Sequence, residues 1–134
     1  MQDFRNLKVW WKAHRLTLDI YKSTAKFPQR ELYGLTSRIR RSCASVPANL
    51  AEGCGRSGDA ELARFAQISM GSASELEYHL LFAHDLDYLS EEDHERLSTE
   101  ALEIKRMPSN LINKLRSSKA TRQKRNVPYQ RLKD

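Results

Sequence analysis

Five glycines and four prolines in 134 residues leave long stretches in which nothing interrupts a helix. No apolar run approaches the ~20 residues that a membrane span needs. No basic-then-apolar leader opens the chain, so a reducing bacterial-type cytoplasm is the expected location. The only cysteines are Cys43 and Cys54, which do not make a disulfide framework. On one helix they would stand roughly 16 Å apart at 1.5 Å per residue, well past the ~7 Å Cα limit for a bridge. Aromatic residues make up 8% of the chain and charged residues 30%, a balance that suits one soluble domain with a modest core.

The net charge of +6 conceals a strong pattern. Residues 1–56 hold eleven Lys/Arg against four Asp/Glu, residues 57–104 two against twelve, and residues 105–134 ten against one. Such blocks suit contact with a polyanion or with an oppositely charged face of another subunit. Helices of opposite charge neutralising one another inside one bundle is the plainer alternative.

Apolar residues recur at helical spacing in four segments. The first runs from about Phe4 to Lys26, with Leu7, Trp11, Leu18 and Tyr21 on a stripe widened by Val9, Trp10, Ala13, Leu16 and Ile20. Trp10 and Trp11 cannot point the same way on a helix, so one should enter the core and the other its margin or an interface. Phe27-Pro28 stops this helix, because the residue before proline avoids the α region. The second begins near Glu31–Tyr33 and reaches about Glu52, with a kink or break expected at Pro47. Gly53, Gly55 and Gly58 then suggest a loop. The third spans about Asp59 to Leu89, with Asp59 or Ser57 as candidate caps. Its run of small residues from Gly71 to Ser74 is a place where a neighbouring helix could approach closely. Ser90-Glu91-Glu92-Asp93 reads as a capping box opening the fourth helix, in which Pro108 is a second expected kink. After Arg116 the apolar period stops. The spacing therefore predicts an all-α, antiparallel up-down four-helix bundle over residues 1–116 and a basic, flexible arm over 117–134.

Nothing in the sequence is arranged as an active site, and no cofactor is expected. A di-iron bundle needs two Glu-x-x-His motifs, and the only such spacing is Glu91-x-x-His94. Glu75 and His79 lie four apart, and His14 and His84 stand alone, so surface histidines are the simpler reading and no metal is expected. The positive charge before Cys43 could lower its pKa, although a buried cysteine acting as a small hydrophobe fits better. Gly53–Gly58 lacks the GK[ST] ending and preceding strand of a phosphate loop. The basic residues carry more weight. Arg38, Arg40, Arg41 and Arg56 cluster in and after the second helix. Lys105, Arg106, Lys114 and Arg116 load the fourth, and Lys119, Arg122, Lys124 and Arg125 load the arm. Together they suit a phosphate backbone without base-specific reading.

The strings FRNLKVWWKAHRLTLDIYKSTAKFP, ELYGLTSRIRRSCASVPANLAEG and RFAQISMGSASELEYHLLFAHDL, followed by LDYLS, resemble the bacterial four-helix bundle proteins. That family was named for intervening sequences in 23S ribosomal RNA genes and is also known as S23 proteins. The resemblance covers roughly residues 4–116. It extends to Leu7, Val9, Trp10, Ala13, Ile20 and Tyr21, then to Tyr33, Gly34, Leu35, Ile39, Arg40 and Arg41. Asn49, Ala51, Glu52, Gly53, Phe65, Gly71, Ser72, Glu75 and Leu76 complete it. Trp11, Pro108 and the long basic arm depart from the family pattern. The resemblance implies a homo-oligomer, specifically a homopentameric ring. It also implies kinship with the accessory variability determinant of diversity-generating retroelements, a non-catalytic protein that binds nucleic acid and partners a reverse transcriptase. Trp10, Trp11, Asn49, Glu52, Gly71, Ser72 and Glu75 are then structural or interface residues, with Arg40 or Arg41 expected to pair with Glu52 or Glu75. The expectation is a non-enzymatic, oligomeric adaptor that binds RNA or an RNA–DNA duplex through phosphates. The alternative is an interaction bundle encoded by a ribosomal RNA intervening sequence, with no direct nucleic-acid role.

Overall fold

In the computed structural model, the described residues are 2–130, with side chains through Leu115 and at Ser117. Four α-helices account for most of them: α1 (Lys8–Thr24), α2 (Leu35–Gly55), α3 (Asp59–Asp85) and α4 (Glu91–Gln130). Single 3-10 turns at Phe4–Asn6 and Gln29–Glu31 precede α1 and α2. Neighbours in sequence pack side by side, and α4 returns to α1. With three short connections, this makes an antiparallel up-down bundle in which α2 lies diagonally across from α4. No strand occurs among the described residues.

The helix boundaries follow local chemistry. Ser90 Oγ accepts a hydrogen bond from the Asp93 N–H at 3.1 Å, so the expected cap of α4 forms. At the start of α3 neither Ser57 nor Asp59 is the N-cap: Gly58 takes that position at φ 89°, where a side chain would be strained. Gly53 and Gly55 belong to α2, so the expected six-residue loop shrinks to Arg56–Gly58. Pro47 and Pro108 both lie within continuous helix, so neither breaks its segment. Helix α4 also continues as far as Gln130, where an extended arm is expected from the loss of apolar period. Residues 117–130 contain no glycine and hold two each of Lys, Arg and Gln, which carry helix propensity without an apolar face.

The core is aliphatic. Ile20, Ile39, Leu50, Leu76, Leu80 and Leu97 are wholly buried, joined by Ala66, Ala83 and Ala101 where helices come close. Burying each large side chain contributes about 1.5–3 kcal/mol. Trp10 lies half-buried against this core, with its ring stacked on His14 at 5.0 Å. Trp11 is 46% exposed and donates Nε1–H to the Arg5 carbonyl at 2.8 Å.

Two contacts set how closely the helices approach. Gly71 is exposed, and a Cβ there would meet nothing within 4 Å, so it does not mark the expected close approach. Gly53 does: a Cβ at this position would fall 2.8 Å from Phe65 Cβ and 3.3 Å from Leu62 Cα. Across the α1–α4 seam, Arg96 grips both carboxylate oxygens of Asp19 at 3.1 and 3.2 Å and reaches Asp93 at 2.7 Å. Lys26 meets the other Asp93 oxygen at 3.1 Å. Hydrogen bonds from Arg96, then Lys26, hold the Asp93 carboxyl below the usual aspartate range.

Gly53→Ala should destabilise the fold by about 1–3 kcal/mol through overpacking, measured by urea unfolding. The Asp93 shift carries a definite sign. Its stabilisation is present above the ordinary aspartate pKa of about 3.9 and is lost as pH falls through the lowered folded value. Arg96→Gln should therefore cost at most about 1 kcal/mol near pH 7, this network being largely solvent-exposed. The gap between variant and native protein should close as unfolding is repeated from pH 4 down to pH 2.

Candidate nucleic-acid interface

A polar stripe runs along α2 beside its apolar face: Arg38, Ser42, Ser45 and Asn49 recur at steps of four, three and four. Helix α3 presents Ser72, Glu75 and His79 alongside it. Between them lies an open groove of about 590 Å³, lined by Arg38, Arg41, Ser42, Ser45, Ser72, Glu75 and His79.

The floor of the groove is fixed by hydrogen bonds. Ser45 and Ser72 share one at 2.8 Å between their hydroxyls, and Asn49 Nδ2 donates to the Ser45 carbonyl at 2.8 Å and hydroxyl at 2.9 Å. Deeper in the seam, Ser69 Oγ donates to the Val46 carbonyl at 2.9 Å. The rim is left free. Arg38 and Arg41 are exposed and make no side-chain hydrogen bond or ion pair among the described residues. His79 Nδ1 is buried with no hydrogen-bond partner, while its Nε2 stands 3.9 Å from Glu75. Two unpaired guanidinium groups over serine hydroxyls and an imidazole form a site able to hold an oxyanion, with Glu75 as the opposing charge.

The remaining basic residues are not gathered here. Arg40 turns away, donating to Thr24 Oγ1 at 2.9 Å and lying over the Tyr21 ring at 4.7 Å. Arg56 pairs with Glu52 one turn earlier at 2.9 Å and lies over Phe65. The expected pairing of Arg40 or Arg41 with Glu52 or Glu75 therefore does not form within the chain: Arg40 is drawn to α1, and Glu52 is taken by Arg56. Lys105 pairs with Glu77 of α3 at 3.0 Å, whereas Arg106 and Lys114 are exposed on α4. Because α2 and α4 are diagonal, these bases form a second set, separate from Arg38 and Arg41. The side chains of Arg116, Lys119, Arg122, Lys124 and Arg125 lie outside the described residues.

Other chemistry finds less support. Cys43 is buried, and burial pushes its thiol up to about 11, the opposite of an activated nucleophile. A second groove of about 340 Å³, between α1 and α4, brings Lys12 and Arg15 together with Asp19, Glu100 and Glu103. Acids outnumber bases there, and Lys12 is already paired with Glu103. His84, expected to stand alone, does not: the turn between α3 and α4 brings it against Glu91 and His94. Sequence reading missed this because ten residues separate the two histidines. Ser42 and Ser45 drew no notice although the four-three-four spacing of the α2 stripe was visible, and His79, expected on the surface, has its Nδ1 buried.

The fold has a solved counterpart. A crystal structure of a protein with unknown function from the S23 ribosomal protein family of Bacteroides thetaiotaomicron VPI-5482 superimposes with a TM-score of 0.70 at 23% identity. The match covers 78% of this chain and 97% of that one. No curated protein matches the chain. The family described as 23S rRNA-intervening sequence protein matches residues 5–110, which takes in all of α1, α2 and α3 and the first half of α4. This four-helix chain belongs to the 23S rRNA-intervening sequence protein family.

Proposed function

We propose that this protein is a non-enzymatic, oligomeric adaptor that binds nucleic acid through its phosphates. The observation that carries the reading is the pair Arg38 and Arg41, exposed and unpaired above a hydroxyl-lined groove when most other arginines of the bundle have partners. A guanidinium already committed to a carboxylate has little left to offer a phosphate; these two are free to bind it bidentately. Arg106, Lys114 and the basic residues 116–125 add counterion release along α4, where Lys105 is held by Glu77.

Self-association fits the exposed apolar side chains of two faces. Trp11, Leu18 and Tyr21 stand out on α1, and Tyr78, Leu81, Phe82 and Leu86 at the end of α3 and just beyond it. In a ring such as the resemblance implies, each groove and basic helix is repeated, and weak contacts add through multivalency. The most concrete role is an accessory subunit of a diversity-generating retroelement reverse transcriptase, with RNA or an RNA–DNA duplex as ligand. The apolar end of α3 favours the second reading, an interaction bundle that docks protein alone.

Labelled RNA, RNA–DNA duplex and duplex DNA should bind the full chain with an affinity that falls log-linearly with salt. Arg38→Ala/Arg41→Ala should weaken binding about tenfold or more and flatten the salt slope by up to about two. Truncation after residue 116 should weaken it further without abolishing it. Weak, salt-independent binding by the full chain would overturn the nucleic-acid reading in favour of protein docking.

A further inference from the structure

We propose that His84, Glu91 and His94 bind a divalent transition-metal ion of the zinc class, which ties the end of α3 to the start of α4. The ligating atoms of the three residues all lie within 4.8 Å of one another. His84 Nε2 and Glu91 Oε2 are already 2.8 Å apart. Tetrahedral zinc with ligand bonds near 2.0–2.1 Å needs donors about 3.4 Å apart, a spacing between the 2.8 Å of the His84–Glu91 pair and the 4.8 Å limit of the cluster. The two imidazoles are stacked at 4.2 Å and 13°. One ring must turn out of that stack to aim its lone pair at the ion.

The backbone that carries these ligands is already pinned. Leu86, Asp87 and Tyr88 N–H groups donate to Phe82, His84 and Ala83 carbonyls at 3.0, 2.9 and 2.9 Å. The His94 N–H returns to the Ser90 carbonyl at 2.9 Å, and Leu89 is buried between. Tyr88 reaches across to Glu31 at 2.9 Å. A metal binding here meets a formed turn and spends little of its affinity on ordering chain. Asp85 Oδ1 lies 3.7 Å from His84 Nδ1, beyond hydrogen-bond length, and a rotation of the Asp85 side chain would let it accept that N–H and leave Nε2 for the ion.

The donor set selects the class of metal. Two imidazoles and one carboxylate suit zinc, cobalt, nickel or copper, whereas calcium and magnesium prefer oxygen alone. Residues 85–95 hold six acids and no Lys or Arg, so the local field draws in cations. Three protein ligands leave the fourth position to water.

Isothermal titration of the tag-free, full-length protein with zinc chloride should show one equivalent bound per chain. His84→Ala and His94→Ala should each weaken binding at least tenfold, and Glu91→Gln less. Asp85→Asn, which removes an orienting group rather than a ligand, should weaken binding without changing the stoichiometry. In imidazole-resolved NMR spectra, zinc should move the His84 and His94 rings and leave His14 and His79 in place. Equal zinc affinity in the native protein and a His84→Ala/His94→Ala double variant would overturn the proposal. So would zinc-induced shifts confined to His14, His79 or the cysteines. Far-ultraviolet circular dichroism of each variant establishes that lost binding is not lost fold.

Discussion

The seam between α2 and α3 is the constraint on which the rest of the molecule depends. At one end Gly53 admits the Phe65 side chain and the α3 backbone at a distance no Cβ would allow. Along the middle, Ser69 bonds the Val46 carbonyl and Ser45 bonds Ser72, so these hydroxyls are satisfied rather than left at a cost. This spacing buries Leu50, Ala66, Ala73 and Leu76 on one side of the seam and opens the groove on the other. The apolar and polar sides of one helix pair thus do separate work: one holds the bundle, the other offers free arginines.

Helix order decides which charges meet. Because α2 and α4 lie diagonally, their basic residues cannot merge into one patch within a subunit. Between them runs α3, whose Glu77 neutralises Lys105, while the acids at its end gather with those of early α4. Arg96 and Lys26 consume acids of the α1–α4 seam in the same way. Much of the charge asymmetry of the chain is therefore spent inside the bundle. Among what is left over, Arg38 and Arg41 are the cations that share one groove, and the His84–Glu91–His94 cluster sits within an acidic turn at the α3–α4 hairpin.

The four helices were legible because apolar spacing is long-range and redundant: losing one residue from the stripe of α3 would not hide it. Their ends were less so. The helical placement of Gly53 depends on where Phe65 and Leu62 sit, which no local pattern encodes. The same limit applied to the arginines. Arg38, Arg40 and Arg41 are indistinguishable as a string, and only the fold turns Arg40 toward Thr24 and Tyr21 while leaving its neighbours free. Gly71 misled for the complementary reason, since a small residue marks close packing only when it faces another helix.

The central claim is that the bundle sorts its arginines into engaged and free, and that the free pair on α2 meets the ligand. Arginine footprinting with a dicarbonyl reagent, read by peptide mass spectrometry with and without RNA, tests this directly. Arg38 and Arg41 should be modified rapidly in the free protein and protected by RNA, while Arg40 and Arg96 react slowly in both samples. Uniform modification of all four, or rapid modification of Arg38 and Arg41 that RNA leaves unchanged, would contradict the account.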